Sequence, residues 1–90
     1  MDWININDKH FVDITYETNE KYSWIENNNC PQEPFLVAIN VFNNVNNESR
    51  WEKYLVVLSE PHGIETPEGD YIGWDVTDVQ YWAIITNPNT

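Results

Sequence analysis

The sequence predicts a small, β-rich α+β domain, an antiparallel sheet of about four to five strands with at most one short helix. Three observations carry that prediction. Residues 35–42, 51–58 and 79–86 are dense in β-branched and aromatic side chains, the types that suit a pleated, half-buried surface. Segments rich in Pro, Asn or Gly bound these runs and favour turns over continued structure. Finally, 90 residues with 41% apolar and 14% aromatic content support one hydrophobic core and not two, so residues 1–90 are read as a single acidic globular domain.

Along the chain, residues 11–16 alternate partially between apolar and polar and read as a short strand. Residues 18–26 admit a helix capped by Thr18, with Tyr22 and Ile25 spaced to share a face. Pro31 and Pro34 then discourage helix, and Phe35, Val37, Ile39 and Val41 alternate with Leu36, Ala38, Asn40 and Phe42. Both faces of this run are apolar, which places it at the centre of the sheet with both faces largely buried. Residues 43–49 form a polar, Asn-rich connection to the run at 51–58, expected to be antiparallel to the first. Residues 59–78 contain Pro61, Gly63, Pro67, Gly69 and Gly73, a long turn-rich stretch in which residues 71–74 can form a short strand. Residues 79–86 make the third strong strand, closed by Asn87-Pro88.

Charge is the least ordinary property of the chain. Fifteen Asp and Glu stand against four Lys and Arg, a formal charge of −11. From Tyr54 onward there is no Lys or Arg, while Glu60, Glu65, Glu68, Asp70, Asp75 and Asp78 all fall there. Such an imbalance costs self-repulsion in a small domain. Because Tyr71, Ile72, Trp74, Val76 and Val79 are threaded among the acids, the segment reads as folded acidic surface and not as a disordered tail. An acidic surface repels nucleic acid and anionic membranes, so direct binding to either is not expected and a basic protein is the natural counterpart.

Catalytic chemistry finds little footing. There is no Gly-rich phosphate loop, no Cys pair and no Gly-x-Ser-x-Gly elbow. His10 and His62 are the two imidazoles, and nothing in their spacing converges with Asp8, Asp13 or Glu60. Cys30, a lone cysteine without a basic sequence neighbour, reads as an inert thiol, and its solitude excludes an internal disulfide. The C-terminal acids lack the Asp-x-Asp-x-Asp-Gly calcium pattern. No enzyme activity, metal or cofactor is therefore expected. No basic stretch followed by an apolar run opens the chain and no apolar run approaches a membrane span, so a cytoplasmic location is expected.

The five Trp need individual weighing. Large aromatics in a small β domain are mostly core or half-buried supports, the reading taken for Trp51 and Trp82. Tyr71 and Trp74 lie instead in an acidic, Gly-flanked segment, where either can serve as an apolar anchor ringed by carboxylates. The candidate partner-binding set is thus Glu65, Glu68, Asp70, Tyr71, Trp74, Asp75 and Asp78.

Three segments resemble a family of small uncharacterised phage and prophage proteins. Members open with Trp-Ile-x-Val or Ile, continue with a Pro before a Val/Leu-rich strand, and close with a hydrophobic residue, two variable positions and Trp. Trp3-Ile4-Asn5-Ile6, Pro34-Phe35-Leu36-Val37-Ala38 and Val79-Gln80-Tyr81-Trp82 correspond here. The resemblance implies a phage origin and action in the bacterial host cell, without implying chemistry. With the acidic surface, it leads to the expectation of a non-enzymatic inhibitor of a basic, nucleic-acid-binding bacterial protein such as a nuclease or CRISPR effector. Anti-CRISPR or other anti-defence action, host takeover and nucleic-acid mimicry all fall within that expectation. An immunity protein that neutralises a basic toxin and a small-molecule-binding or sequestering domain are the alternatives.

Overall fold

A computed structural model describes residues 2–18, 21–59 and 63–85. The described chain forms strands β1 (Ile4–Asn5), β2 (Val12–Tyr16), β3 (Tyr22–Glu26), β4 (Phe35–Asn43), β5 (Glu48–Ser59), β6 (Gly63–Glu65) and β7 (Tyr81–Ala83), with one turn of 3-10 helix at Val76–Asp78. Five strands make an antiparallel sheet in the order β1-β7-β4-β5-β6, and β2 and β3 pair as a separate antiparallel hairpin. The β-rich class, and the adjacency of the three strong strands, are as the sequence predicts.

β4 is central because it is paired along both edges, Val37 lying opposite Tyr54 of β5 and Trp82 of β7. Its two faces are not equally covered, contrary to expectation. Phe35, Val37 and Ile39 are buried on one face with Val41 half-buried, whereas on the other only Ala38 is buried, Leu36 and Asn40 are half-buried and Phe42 is 56% exposed. The reason is layer count: the hairpin and the loops pack on the first face, while on the second only the long side chains beside Ala38 give cover and no second layer of strands is described. An apolar run on both sides of a strand gives centrality in the sheet but does not guarantee a second covering layer.

The core is therefore one-sided. Phe11, Val12, Cys30, Phe35, Val37, Ile39, Val56, Ile64, Val76, Val79 and Trp82 form one buried cluster. At its heart Phe11, Phe35 and Trp82 meet edge to face, with centroids 5.1 Å (Phe11–Phe35), 5.7 Å (Phe11–Trp82) and 6.1 Å (Phe35–Trp82) apart, the geometry aromatic quadrupoles favour. The Trp82 indole N–H donates to the Lys9 carbonyl at 2.9 Å, so the one polar atom of this ring is satisfied while the N-terminal loop is pinned to β7.

Three predicted elements are corrected. The helix at 18–26 is absent from the described part of that range, and residues 19 and 20 lie outside the described residues; β3 occupies Tyr22–Glu26 instead. Strand period wins because Val12 and Ile14 of β2 and Tyr22 and Trp24 of β3 share the face turned to the core, with Ile14 opposite Trp24. Ile25, half of the helical i, i+3 signal, is left 66% exposed. The connection at 43–49 contracts to a turn at 44–47, lengthening both flanking strands. Asn side chains make that possible: Asn43 Oδ1 accepts from the Val45 N–H, Asn46 Oδ1 accepts from the Glu48 N–H, and Asn47 takes a positive φ of 57°. The strand at 79–86 shortens to Tyr81–Ala83, since Val79 is spent as the C-cap of the 3-10 turn, and Thr86 lies outside the described residues.

Candidate protein-binding surface

Among the described residues no charged side chain is buried and there is one ion pair, Arg50 to Glu52 at 3.0 Å. The carboxylates thus sit at the surface with few cations beside them, so most of the −11 charge is left to act outward as a negative potential.

Within the predicted partner-binding set, the structure separates presented residues from supporting ones. Glu65 ends β6 and bridges to Tyr71, closing the intervening segment. Inside that closure the Thr66 N–H donates to the Asp70 carbonyl at 2.8 Å, the Gly69 N–H to the Thr66 carbonyl at 2.9 Å, and the Asp70 N–H to Thr66 Oγ1 at 3.1 Å. Gly69 permits this tight return with a φ of +94°. The result is a fixed turn carrying Glu68 and Asp70, both exposed, beside Tyr71, which is 58% exposed. Residues 71–74, expected as a short strand, contribute only the single bridge at Tyr71.

Asp75 and Asp78 have structural employment. Asp75 is the N-cap of the 3-10 turn, its carboxylate accepting from the Val76 N–H, while Asp78 reaches back to accept from the Asp75 N–H at 2.8 Å. This is a reciprocal capping box with Asp in the position usually held by Glu. The Tyr22 hydroxyl of β3 lies near the Asp75 carboxylate, and the Tyr22 phenol is pushed up to about 12, first by burial and then by Asp75. Gly63 at the start of β6 faces the same carboxylate: a Cβ there would lie 3.2 Å from Asp75 Oδ1, and its φ is +83°. Asp75 therefore caps the 3-10 turn at a place where β3 and β6 come close to it. Asp75→Ala is expected to destabilise the protein by about 0.5–2 kcal/mol through loss of the cap, and Asp75→Asn, which keeps the acceptor, by less; chemical denaturation of the two variants measures both.

Trp74 is half-buried against the core. It lies beside Glu52 and Tyr54 on β5, where Tyr54 donates to Glu52 Oε2 at 2.6 Å and Arg50 to Glu52 Oε1. These bonds, Tyr54 first and Arg50 next, hold the Glu52 carboxyl below its ordinary range, and the same Glu52 raises the Tyr54 phenol. Of the two aromatics weighed as anchors, Tyr71 is the more exposed. Sequence reading did not foresee the Glu52–Tyr54–Trp74 network, although Arg50, Glu52 and Tyr54 at alternate positions of one strand must share a face.

The residues weighed for chemistry are placed as follows. His10 accepts from the Val12 N–H through Nδ1 at 3.2 Å, and its buried Nε2 has no protein partner. Burial lowers its pKa, with Asp13 opposing. The folded state thus holds a neutral imidazole that the unfolded chain protonates below its ordinary value of about 6.5. Stability contributed by His10 is full above that pH and is lost as pH falls through it toward the lower folded value. The stability difference between the native chain and His10→Gln is expected to shrink across that window, as denaturation midpoints at pH 7.5 and pH 5.5 report. Cys30 is buried and its thiol is pushed up to about 11, by burial first and then by Glu26, so little thiolate exists at neutral pH. His62 and Glu60 lie outside the described residues. Among the described residues no group of three or more His, Cys, Asp or Glu is placed to hold a metal ion, and no helix is long and apolar enough to cross a membrane.

Comparison of the chain with protein-family models, with curated proteins and with solved structures finds no match.

Proposed function

We propose that the chain is a non-enzymatic, phage-type inhibitor that acts in the bacterial cytoplasm by binding a basic, nucleic-acid-binding host protein. The observation that supports this reading most is the nearly unpaired carboxylate surface, with Glu68 and Asp70 held on a hydrogen-bonded turn next to exposed Tyr71. Arg and Lys groups that meet nucleic-acid phosphates meet carboxylates by the same charge-assisted hydrogen bonds. A turn that is already ordered gives up little conformational entropy when it docks. An inhibitor of this kind occupies its target's nucleic-acid channel stoichiometrically, and a CRISPR effector or another defence nuclease has the basic surface required.

The test is competitive. A tagged copy is used to isolate its partner from a bacterial lysate, and the purified partner is titrated with its own nucleic acid in the presence and absence of this protein. Mimicry predicts mutual exclusion, with the apparent nucleic-acid affinity falling in proportion to added protein. A partner that holds both ligands at once, with no loss of affinity for either, overturns it. A secreted toxin as the single partner, with no nucleic-acid competition, would install the immunity reading in its place.

A further inference from the structure

The unroofed face of the sheet carries a second feature unrelated to the acidic turn. Strand register places Ala38 of β4 between Lys53 of β5 and Tyr81 of β7, with Trp51 two residues before Lys53 on β5, on the same face and opposite Asn40. A small residue flanked by long ones leaves a hollow. That hollow, about 360 Å³, is lined by Trp3, Ala38, Trp51, Lys53 and Tyr81, a volume within the range of small-molecule sites. Trp51 and Tyr81 meet edge to face with centroids 5.6 Å apart at 67°, forming one wall. The Lys53 ammonium lies 5.7 Å from the centroid of the Trp3 ring, forming the other.

Two facts distinguish this hollow from incidental roughness. Trp51, read from sequence as core or support, is 48% exposed, so much of its ring contributes nothing to the core. Lys53, one of four basic residues among fifteen acids, is not ion-paired in the described structure but rests over an aromatic ring instead. We infer that the hollow formed by Trp3, Trp51 and Tyr81 around Ala38 binds a small planar ring bearing one carboxylate or phosphate, the ring stacking on the aromatics and the anion meeting Lys53. Charge decides the class. An organic cation is repelled by Lys53 at contact, a polyanion is repelled by the protein's overall charge of −11, and a second copy of the chain brings that same charge with it. A small anion of one or two charges meets Lys53 directly and offers the overall charge little to repel.

The experiment is a titration followed through the Trp indole N–H signals in ¹H–¹⁵N NMR spectra, with indole-3-acetate as probe and tryptamine as its cationic counterpart. Saturable shifts confined to Trp3 and Trp51 are expected, with indole-3-acetate binding at least about tenfold tighter than tryptamine, equivalent to about 1.4 kcal/mol. Lys53→Gln should remove that preference. Trp51→Ala, at an exposed position where the fold is retained, should weaken indole-3-acetate at least about tenfold. Phenyl phosphate run in parallel separates the two anions, the one losing more affinity on Lys53→Gln being the ligand's group. Tryptamine binding as tightly as indole-3-acetate, no saturable shift up to about 5 mM probe, or shifts that track protein concentration alone, as self-association would give, each overturn the inference.

Discussion

Trp82→Ala is expected to destabilise the protein by about 3–5 kcal/mol, the range for removing a large buried aromatic. Trp82 is 1% exposed and touches both Phe11 and Phe35 edge on, so truncation opens a cavity between β7 and the N-terminal loop that neighbouring rings cannot fill without leaving their rotamers. It also strands the Lys9 carbonyl, whose donor is the Trp82 indole N–H. A domain of this size has a total stability on the order of 5–10 kcal/mol, so the variant should be largely unfolded at moderately raised temperature. Trp82→Phe separates the two contributions, because it keeps most of the apolar contact and loses the hydrogen bond. Thermal and urea denaturation of both variants provide the measurement, and a midpoint near that of the native chain for Trp82→Ala would remove Trp82 from the centre of the core.

Ile39→Ala is expected to cost about 2–5 kcal/mol. Ile39 is 1% exposed on the covered face of β4, opposite Glu52 of β5. Its loss leaves the β4–β5 hydrogen bonds intact while removing packing beneath the middle of the sheet, so secondary structure by circular dichroism should persist as the urea midpoint falls. Phe42→Ala on the same strand should cost far less, because Phe42 is exposed at the end of the uncovered face. The contrast between Ile39 and Phe42 is a direct test of one-sided packing.

Particular residues show what could be read from sequence and what could not. β4 was legible because Val, Ile, Phe and Leu dominate between Pro34 and the Asn-rich turn, and β5 because Tyr54, Leu55, Val56, Val57 and Leu58 run together after it. β1 and β6 were not, since strands of two and three residues are too short for any period to register and depend on neighbours far along the chain. β3 was mistaken for a helix because Tyr22 and Ile25 satisfy an i, i+3 spacing, and only the pairing of Trp24 with Ile14 shows that period two governs. For Trp51 the sequence left core and half-buried support open, and the choice follows from which face of β5 it occupies, set by register with Asn40, a tertiary fact. In the acidic segment the charges were plain, but Asp75 and Asp78, three apart before an apolar residue and a strand, also carry a capping signal. Reading them only as surface charge overlooked that second role.

The electrostatic surface is what links this fold to its proposed role, and on the turn it carries exposed Glu68 and Asp70 with half-buried Glu65 at its base. The decisive measurement is the association rate constant for the isolated basic partner, determined by stopped flow against the native chain and against Glu65→Gln/Glu68→Gln/Asp70→Asn as salt is raised. The account predicts that the triple variant associates about tenfold more slowly at low ionic strength with little change in dissociation, as expected for charges that steer an encounter. The gap should close as the screening length falls from about 10 Å at 0.1 M to about 3 Å at 1 M salt, and Tyr71→Ala should instead speed dissociation. An association rate that is the same for the native chain and the triple variant at every salt concentration would contradict it.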